Sequence, residues 1–192
     1  IQVAASGLLR LEAVTYRGGF APEDACIDVE GRLELDGAYL DGCSFEGGVG
    51  IVRASGAAAA VDVQRSTIAN ASGAAGLYVE GGTLSMWDST IADNNGEEVG
   101  GVYVGPDASA HIERSTIVRN RSGTGEVSGL WADGAVTLRS SIVAENGGVE
   151  ELGEGYFVDL GDDCFGSVES LGFNVIGVDG CGGFAPRGGD HV

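Results

Sequence analysis

Apolar and polar residues alternate along this chain at a spacing of two. Leu77 and Val79 are followed by Leu84 and Met86, and Val102 and Val104 by Ala110 and Ile112. That period predicts half-buried strands, in pieces of about three to five residues. The pairs Gly81-Gly82, Gly100-Gly101 and Gly147-Gly148 mark turns between them. No segment carries a capped apolar stripe at helical spacing over ten or more residues.

The strands recur in a fixed frame. STIADN starts at Ser89, STIVRN at Ser115 and SIVAEN at Ser141, an interval of 26 residues each time. Leu84, Ala110 and Val136 keep step, as do Met86, Ile112 and Leu138, and Ile91, Ile117 and Val143. An earlier copy, VDVQRSTIAN, places Val61, Val63, Ser66 and Ile68 in the same roles, 23 residues upstream. Fainter copies read LELDGAYLDG from Leu33 and LRLEAVTYRG from Leu9, so the repeat is clearest over residues 50–146. Short strands, a period in the twenties and Gly- and Asn-rich turns specify coils stacked in a parallel β-helix. One coil cannot cover its own apolar face or pair its own N–H and C=O groups, and stacking does both. About seven coils at a ladder spacing of about 4.8 Å give a rod of roughly 34 Å. Coils are expected over 1–160, with 161–192 continuing or capping the helix.

Composition narrows the function classes. Glycine fills 35 of 192 positions, yet there are three Pro, no Gly-X-Y period and 43% apolar residues, which excludes collagen and wholesale disorder. The formal charge is −19 and every basic residue is Arg, so a phosphate-binding role on nucleic acid is not expected. No apolar run reaches the roughly 20 residues of a membrane span. The chain opens at Ile1 with neither Met nor a charged-then-apolar segment, as expected of a portion of something longer.

Cys26, Cys43, Cys164 and Cys181 form two local pairs, each 17 residues apart, without the close spacing of zinc or redox motifs. An even count of this kind suits disulfides in an oxidising compartment. Three connectivities exist, of which the two local pairs are the simplest. Each local loop stabilises by about 3 kcal/mol on the chain-entropy model.

The repeats GLYVEGGTLSMWDSTIADN and GVYVGPDASAHIERSTIVRN resemble those of bacterial secreted right-handed β-helix proteins of the pectin-lyase-like superfamily. Residues 163–181, DCFGSVESLGFNVIGVDGC, are similar to a closing segment found in a subset of them, often ahead of a C-terminal surface anchor. Ser170, Leu171, Gly172, Phe173 and Asn174, between Cys164 and Cys181, fill that pattern. The resemblance spans roughly residues 50–181. It implies a single-stranded right-handed parallel β-helix at the cell surface, associated with the outer membrane or secreted. It implies no one activity, because lyases, hydrolases, adhesins and plain stalks share the fold.

Candidate chemistry lies on the exterior. Asn94, Asn120 and Asn146, with Asn70 near the same place one coil earlier, are read as a structural ladder, since Asn accepts left-handed backbone and stacked amides bond from coil to coil. Val52, Tyr78, Tyr103 and Trp131 fall outside by alternation, so the three aromatics form an exterior stripe. That stripe stabilises the ladder by its own stacking, at about 0.2–1 kcal/mol per pair, and also suits sugar rings or a protein partner. A second outward face carries Asp62 and Gln64, Ser85 and Trp87, His111 and Glu113, then Thr137 and Arg139, with Asp88 and Arg114 at the next corner. Asp62, Asp88 and Glu113 could serve as acid and base, helped by His111 and Arg114, in a polysaccharide lyase or glycosidase. The alternation of sign in Asp62/Arg65 and Glu113/Arg139 equally describes a solvated ladder, and no long loops wall a cleft.

Acidic residues gather in loops after each Asn: Asp93, Glu97 and Glu98; Glu126; Glu145, Glu150, Glu151 and Glu154; and Asp162 with Asp163 before Cys164. They could supply Ca²⁺ with some oxygens, but the glycine-aspartate nonapeptide of Ca²⁺-binding coils is absent. No cofactor or metal is expected beyond that. The expected role is a display module, a rod whose exterior ladders, including Trp87, meet a glycan or a surface protein. Residues 1–8 supply no evident cap and GGFAPRGGDHV is loop-like, so further coils or another subunit are expected at an open end.

Overall fold

The computed structural model describes residues 1–21, 25–45, 49–123, 127–151, 157–160, 162–177, 181 and 184–192. Its strands wind into a parallel β-helix with three walls. The first wall stacks Gln2–Val3, Ala25–Val29 and Gly50–Ala54 under the leading halves of Ala75–Trp87, Val102–Glu113, Val127–Arg139 and Asp162–Ser170. The trailing halves of those long strands, with Leu8–Glu12, Arg32–Asp36 and Ala60–Gln64, make the second wall. The third wall runs from Thr15–Ala21 through Tyr39–Phe45, Thr67–Ala69, Thr90–Ala92, Thr116–Val118 and Ile142–Ala144 to Val175–Ile176. The stack is seven strands deep, so five of its turns are paired on both sides, slightly fewer than the seven coils expected. Gly81-Gly82 does not end a strand: it bends one, because pairing with Val102–Glu113 resumes after a register shift between Val79 and Gly81.

Register follows the repeat. Leu84, Ala110 and Val136 pair in succession, and so do Met86, Ile112 and Leu138. These residues point inward and are buried, together with Ile27, Leu33, Leu40, Ile68, Ile91 and Ile117. Every inner side chain therefore packs on its equivalents one rung above and below, which is how a chain of short strands builds one continuous core.

Two polar columns run inside the walls at the corners. Ser66, Ser89, Ser115 and Ser141 are buried, and each hydroxyl accepts from the rung before: Ala38 N–H at 3.0 Å, Ser66 N–H at 3.1 Å, Ser89 N–H at 3.2 Å and Ser115 N–H at 3.2 Å. Corner N–H groups that the strand ladders cannot reach are satisfied in this way. Asn94, Asn120 and Asn146 form the second column, with Oδ1 of Asn120 accepting from both N–H (3.1 Å) and Nδ2 (3.0 Å) of Asn94, and Asn146 repeating the pattern on Asn120.

The expected ladder is real, but its geometry is corrected. Left-handed backbone sits one residue earlier, at Asp93 (φ 56°), Arg119 (φ 54°) and Glu145 (φ 57°), so that the Asn side chain can turn inward. Asn70 is itself the left-handed residue of its turn (φ 59°) and is exposed, and Ala71 holds the ladder position there, its N–H donating to Asn94 Oδ1. Room for the column comes from the opposite strand: a Cβ on Gly129 would stand 2.1 Å from the Asp163 carbonyl oxygen and 2.7 Å from Asn146 Nδ2.

Both local disulfides are formed, and among the described residues no cysteine is free. Cys26–Cys43 ties the first wall to the third in the second turn, and Cys164 in the last turn is tied to Cys181. The staples therefore lie near the two ends of the stack. Over residues 184–192 the tail is irregular, as its composition suggests, but it is docked rather than loose. His191 bridges Val175, its N–H donating to Asn174 O at 2.8 Å while its carbonyl accepts from Ile176 N–H at 2.9 Å. Gly182 and Gly183 lie outside the described residues.

Candidate functional site

The first wall positions an exterior column whose members pair in register: Asp28, Arg53, Tyr78, Tyr103, Trp131 and Phe165. Val52 is not part of it. Val52 pairs with Leu77 and is only 1% exposed, because the turn from Gly50 brings Ile51 and Val52 both inward and leaves Arg53 beside Tyr78. Phe165, which the repeat frame did not include, extends the column by one ring. Tyr78 and Tyr103 stack at 4.5 Å between centroids, and Trp131 lies across the column, 89° to Tyr103 at 5.8 Å and 80° to Phe165 at 5.9 Å. Asp133 holds this arrangement, accepting from Trp131 Nε1 at 2.9 Å and from Tyr103 OH at 3.3 Å. Burial first, then the charge of Asp133, pushes the Tyr103 phenol up to about 12, so it remains a neutral donor. Burial likewise raises Tyr78.

The second wall carries two exterior columns. One runs Arg10, Glu34, Asp62, Ser85, His111, Thr137 and Glu169; the other runs Glu12, Asp36, Gln64, Trp87, Glu113 and Arg139. Trp87 is thus separate from the aromatic column of the first wall. The five residues read as candidate acid, base and helpers fall into two groups. Asp88, Arg114, Glu113 and His111 form a connected network: Arg114 Nε donates to Asp88 at 2.8 Å and its Nη1 to Glu113, while His111 Nε2 lies 3.5 Å from Glu113 and its Nδ1 2.8 Å from Thr137 Oγ1. Asp62 lies two rungs away, paired with Arg32 at 2.6 Å.

The signs alternate as a solvated ladder would, with Glu113 and Arg139 in register. Arg65 bonds Asp36 on the rung before, and Arg114 bonds both its chain neighbour Glu113 and, one rung back, Asp88. A shallow concavity of about 400 Å³ lies at the early end of this wall, lined by Arg10, Arg32, Glu34, Asp36, Asp62 and Trp87 among others. Asp88 and Glu113 are outside it. The Arg114 hydrogen bond holds the Asp88 carboxyl below its usual value, and Arg119 does the same for Asp93. Such carboxylates stay ionised at neutral pH and are poor proton donors.

The acidic loop residues divide as well. Asp93 is paired with Arg119 at 2.8 Å, and Asp163 is buried inside the last turn rather than placed in a loop. Glu150 and Glu151 belong to Gly148–Glu151, which pairs antiparallel with Phe157–Leu160, and Glu126 and Glu154 lie outside the described residues. Among the described residues no group of three or more His, Cys, Asp or Glu is arranged to hold a metal ion, and no helix is long and apolar enough to cross a membrane. Comparison with known proteins returned no matching family model, no matching curated protein and no matching solved structure.

Proposed function

We propose that this chain is a secreted or cell-surface display module, a stiff β-helical rod that presents its exterior columns to a glycan or a protein partner. One observation carries the reading: four aromatic side chains, Tyr78, Tyr103, Trp131 and Phe165, stand in register on the outside of the first wall. A core needs no such column, and contiguous exterior aromatics mark surfaces of interaction. Two disulfides and an interior threaded by hydrogen-bonded Ser and Asn columns support rigidity and an oxidising setting. A bacterial origin and kinship with the pectin-lyase-like superfamily belong to the same proposal, on the strength of the repeat and closing-segment resemblance.

The first turn supports continuation into further coils or a second subunit. Its strands pair on one side only, and Leu8 and Phe20 are 61% and 66% exposed. The deciding experiment is a glycan array and surface-protein pull-down with the intact chain and with Trp131→Ala. Loss of the partner at unchanged melting temperature supports the reading, and retention of every partner overturns the role of this column.

A second reading, a polysaccharide lyase or glycosidase on the second wall, is favoured by the connected Asp88–Arg114–Glu113–His111 network. Against it, neither Asp88 nor Glu113 lines the concavity, and Asp88 is held ionised. A reducing-sugar assay over acidic and neutral polysaccharides separates the two, since activity that disappears on Glu113→Gln would replace display with catalysis.

A further inference from the structure

Ten arginines face 29 carboxylates, so only part of the exterior acid is paired: Glu34 with Arg10 and Arg32, Asp36 with Arg65, Asp41 with Arg17, Asp88 with Arg114 and Asp93 with Arg119. Asp133 belongs to the remainder and is set apart by its place on the aromatic column. It is exposed, and among the described residues it has no basic partner; its two oxygens instead accept from Trp131 Nε1 and Tyr103 OH. Each oxygen keeps a lone-pair direction free for a further donor.

The rings around Asp133 are arranged unequally. Tyr78 and Tyr103 cover each other's faces, but neither neighbouring ring lies flat on Trp131, which is near perpendicular to both, and Phe165 is 45% exposed. An indole face fixed beside an unpaired carboxylate is half of a site for a guanidinium or an ammonium group, which gains from the ring quadrupole and from the anion together. The net charge of −19 draws such a group toward the surface.

We infer that Tyr103, Trp131, Asp133 and Phe165 dock an extended, arginine- or lysine-bearing segment of a protein partner. Alternate side chains of an extended segment lie about 6.7 Å apart. That exceeds the 5.8 and 5.9 Å between the ring centroids of Tyr103, Trp131 and Phe165 by about 1 Å per step, so two like-facing side chains can reach two neighbouring rings. This inference rests on the display reading and names the chemistry of its partner.

The test is titration of the intact chain with hexa-arginine and with a neutral hexasaccharide, followed by tryptophan fluorescence and calorimetry. Hexa-arginine is expected to bind, and to bind more weakly as salt rises. Asp133→Asn and Trp131→Ala should each weaken it by about three- to tenfold, at melting temperatures within a few degrees of the parent. Glu12→Gln, which removes one charge from the exposed second wall, should change it less than about twofold. Equal weakening by Glu12→Gln, or no binding of hexa-arginine, overturns the inference. If the hexasaccharide binds instead and only Trp131→Ala impairs it, the cationic segment is wrong while display by this column stands. If neither probe binds and neither variant alters any captured partner, the display reading falls with it.

Discussion

Asn146 donates to Asp163 Oδ1 twice, from its main-chain N–H at 2.7 Å and from Nδ2 at 2.9 Å. The Asn column therefore ends on a carboxylate that is 1% exposed and sits beside the last staple, at Cys164. Removing that carboxylate strands the buried main-chain N–H of Asn146, while Nδ2 keeps the carbonyls of Ile117 at 2.9 Å and Ala144 at 3.2 Å. Asp163→Ala is expected to lose about 1–3 kcal/mol in urea unfolding. Asp163→Asn keeps one acceptor oxygen and should lose clearly less. Equal losses would mean that the charge, and not the acceptor, closes the column.

The two staples make separable contributions. Each closes a 17-residue separation, and each holds a turn near one end of the stack. Ends of a solenoid fray first, because their turns have a neighbour on one side only. Cys164→Ser with Cys181→Ser is expected to cost about 3 kcal/mol on the chain-entropy model, with hydrogen exchange rising in Asp162–Ser170 and Val175–Ile176 before it rises in Val102–Glu113. Uniform loss of protection along the rod would show instead that it unfolds as one unit.

Acid should release the tail. Desolvation alone would raise the Asp190 carboxyl, but the Ser170 hydroxyl at 2.6 Å and the backbone N–H groups of Arg187 and Asn174 outweigh it and hold it below its usual value. A depressed carboxyl contributes stability that is present above its unfolded value of about 3.9 and is lost as pH falls through the folded value. Hydrogen-exchange protection of residues 184–192 should therefore persist at pH 5 and decline only below about 3.9, as pH falls through the folded value, with the core still protected. Asp190→Asn should lack that protection already at pH 5.

Much of this architecture was legible in the repeat, because register demands that equivalent positions recur. Leu84, Ala110 and Val136 stack because each occupies the same step of the same coil. What escaped the pattern lies where a turn changes length or a column changes residue type. Val52 follows Gly50 and Ile51, a turn with two successive inward residues, so simple alternation put it on the wrong side. The Ser66–Ser141 column was visible as a recurring letter, but its burial was not, since a serine at a corner faces water as readily as the core. Asp163 ends an Asn column with a different side chain, and Phe165 lies after a longer insertion, so neither keeps the 26-residue frame. Which carboxylate each arginine takes is not readable from the alternation of sign, because Arg65 and Arg114 sit at left-handed corners, φ 47° and 48°, from which they reach sideways to another rung or column.

Two glycine substitutions test the interior columns against general intolerance to change. Gly129 has no room: an added Cβ would meet the Asp163 carbonyl oxygen at 2.1 Å and Asn146 Nδ2 at 2.7 Å, one of them backbone and the other the end of a hydrogen-bonded column. Gly188, in the docked tail, has no heavy atom within 4 Å of the same position and no left-handed φ. Gly129→Ala is therefore expected to destabilise by at least about 3 kcal/mol, as overpacking and lost column bonds combine. Gly188→Ala should fall within about 0.5 kcal/mol of the parent, or stabilise slightly through the unfolded chain. Equilibrium unfolding of both variants decides the matter. A Gly129→Ala protein as stable as the parent would mean that the Asn column is slack enough to shift, and the rod's stiffness would then have to come from the strand ladders alone.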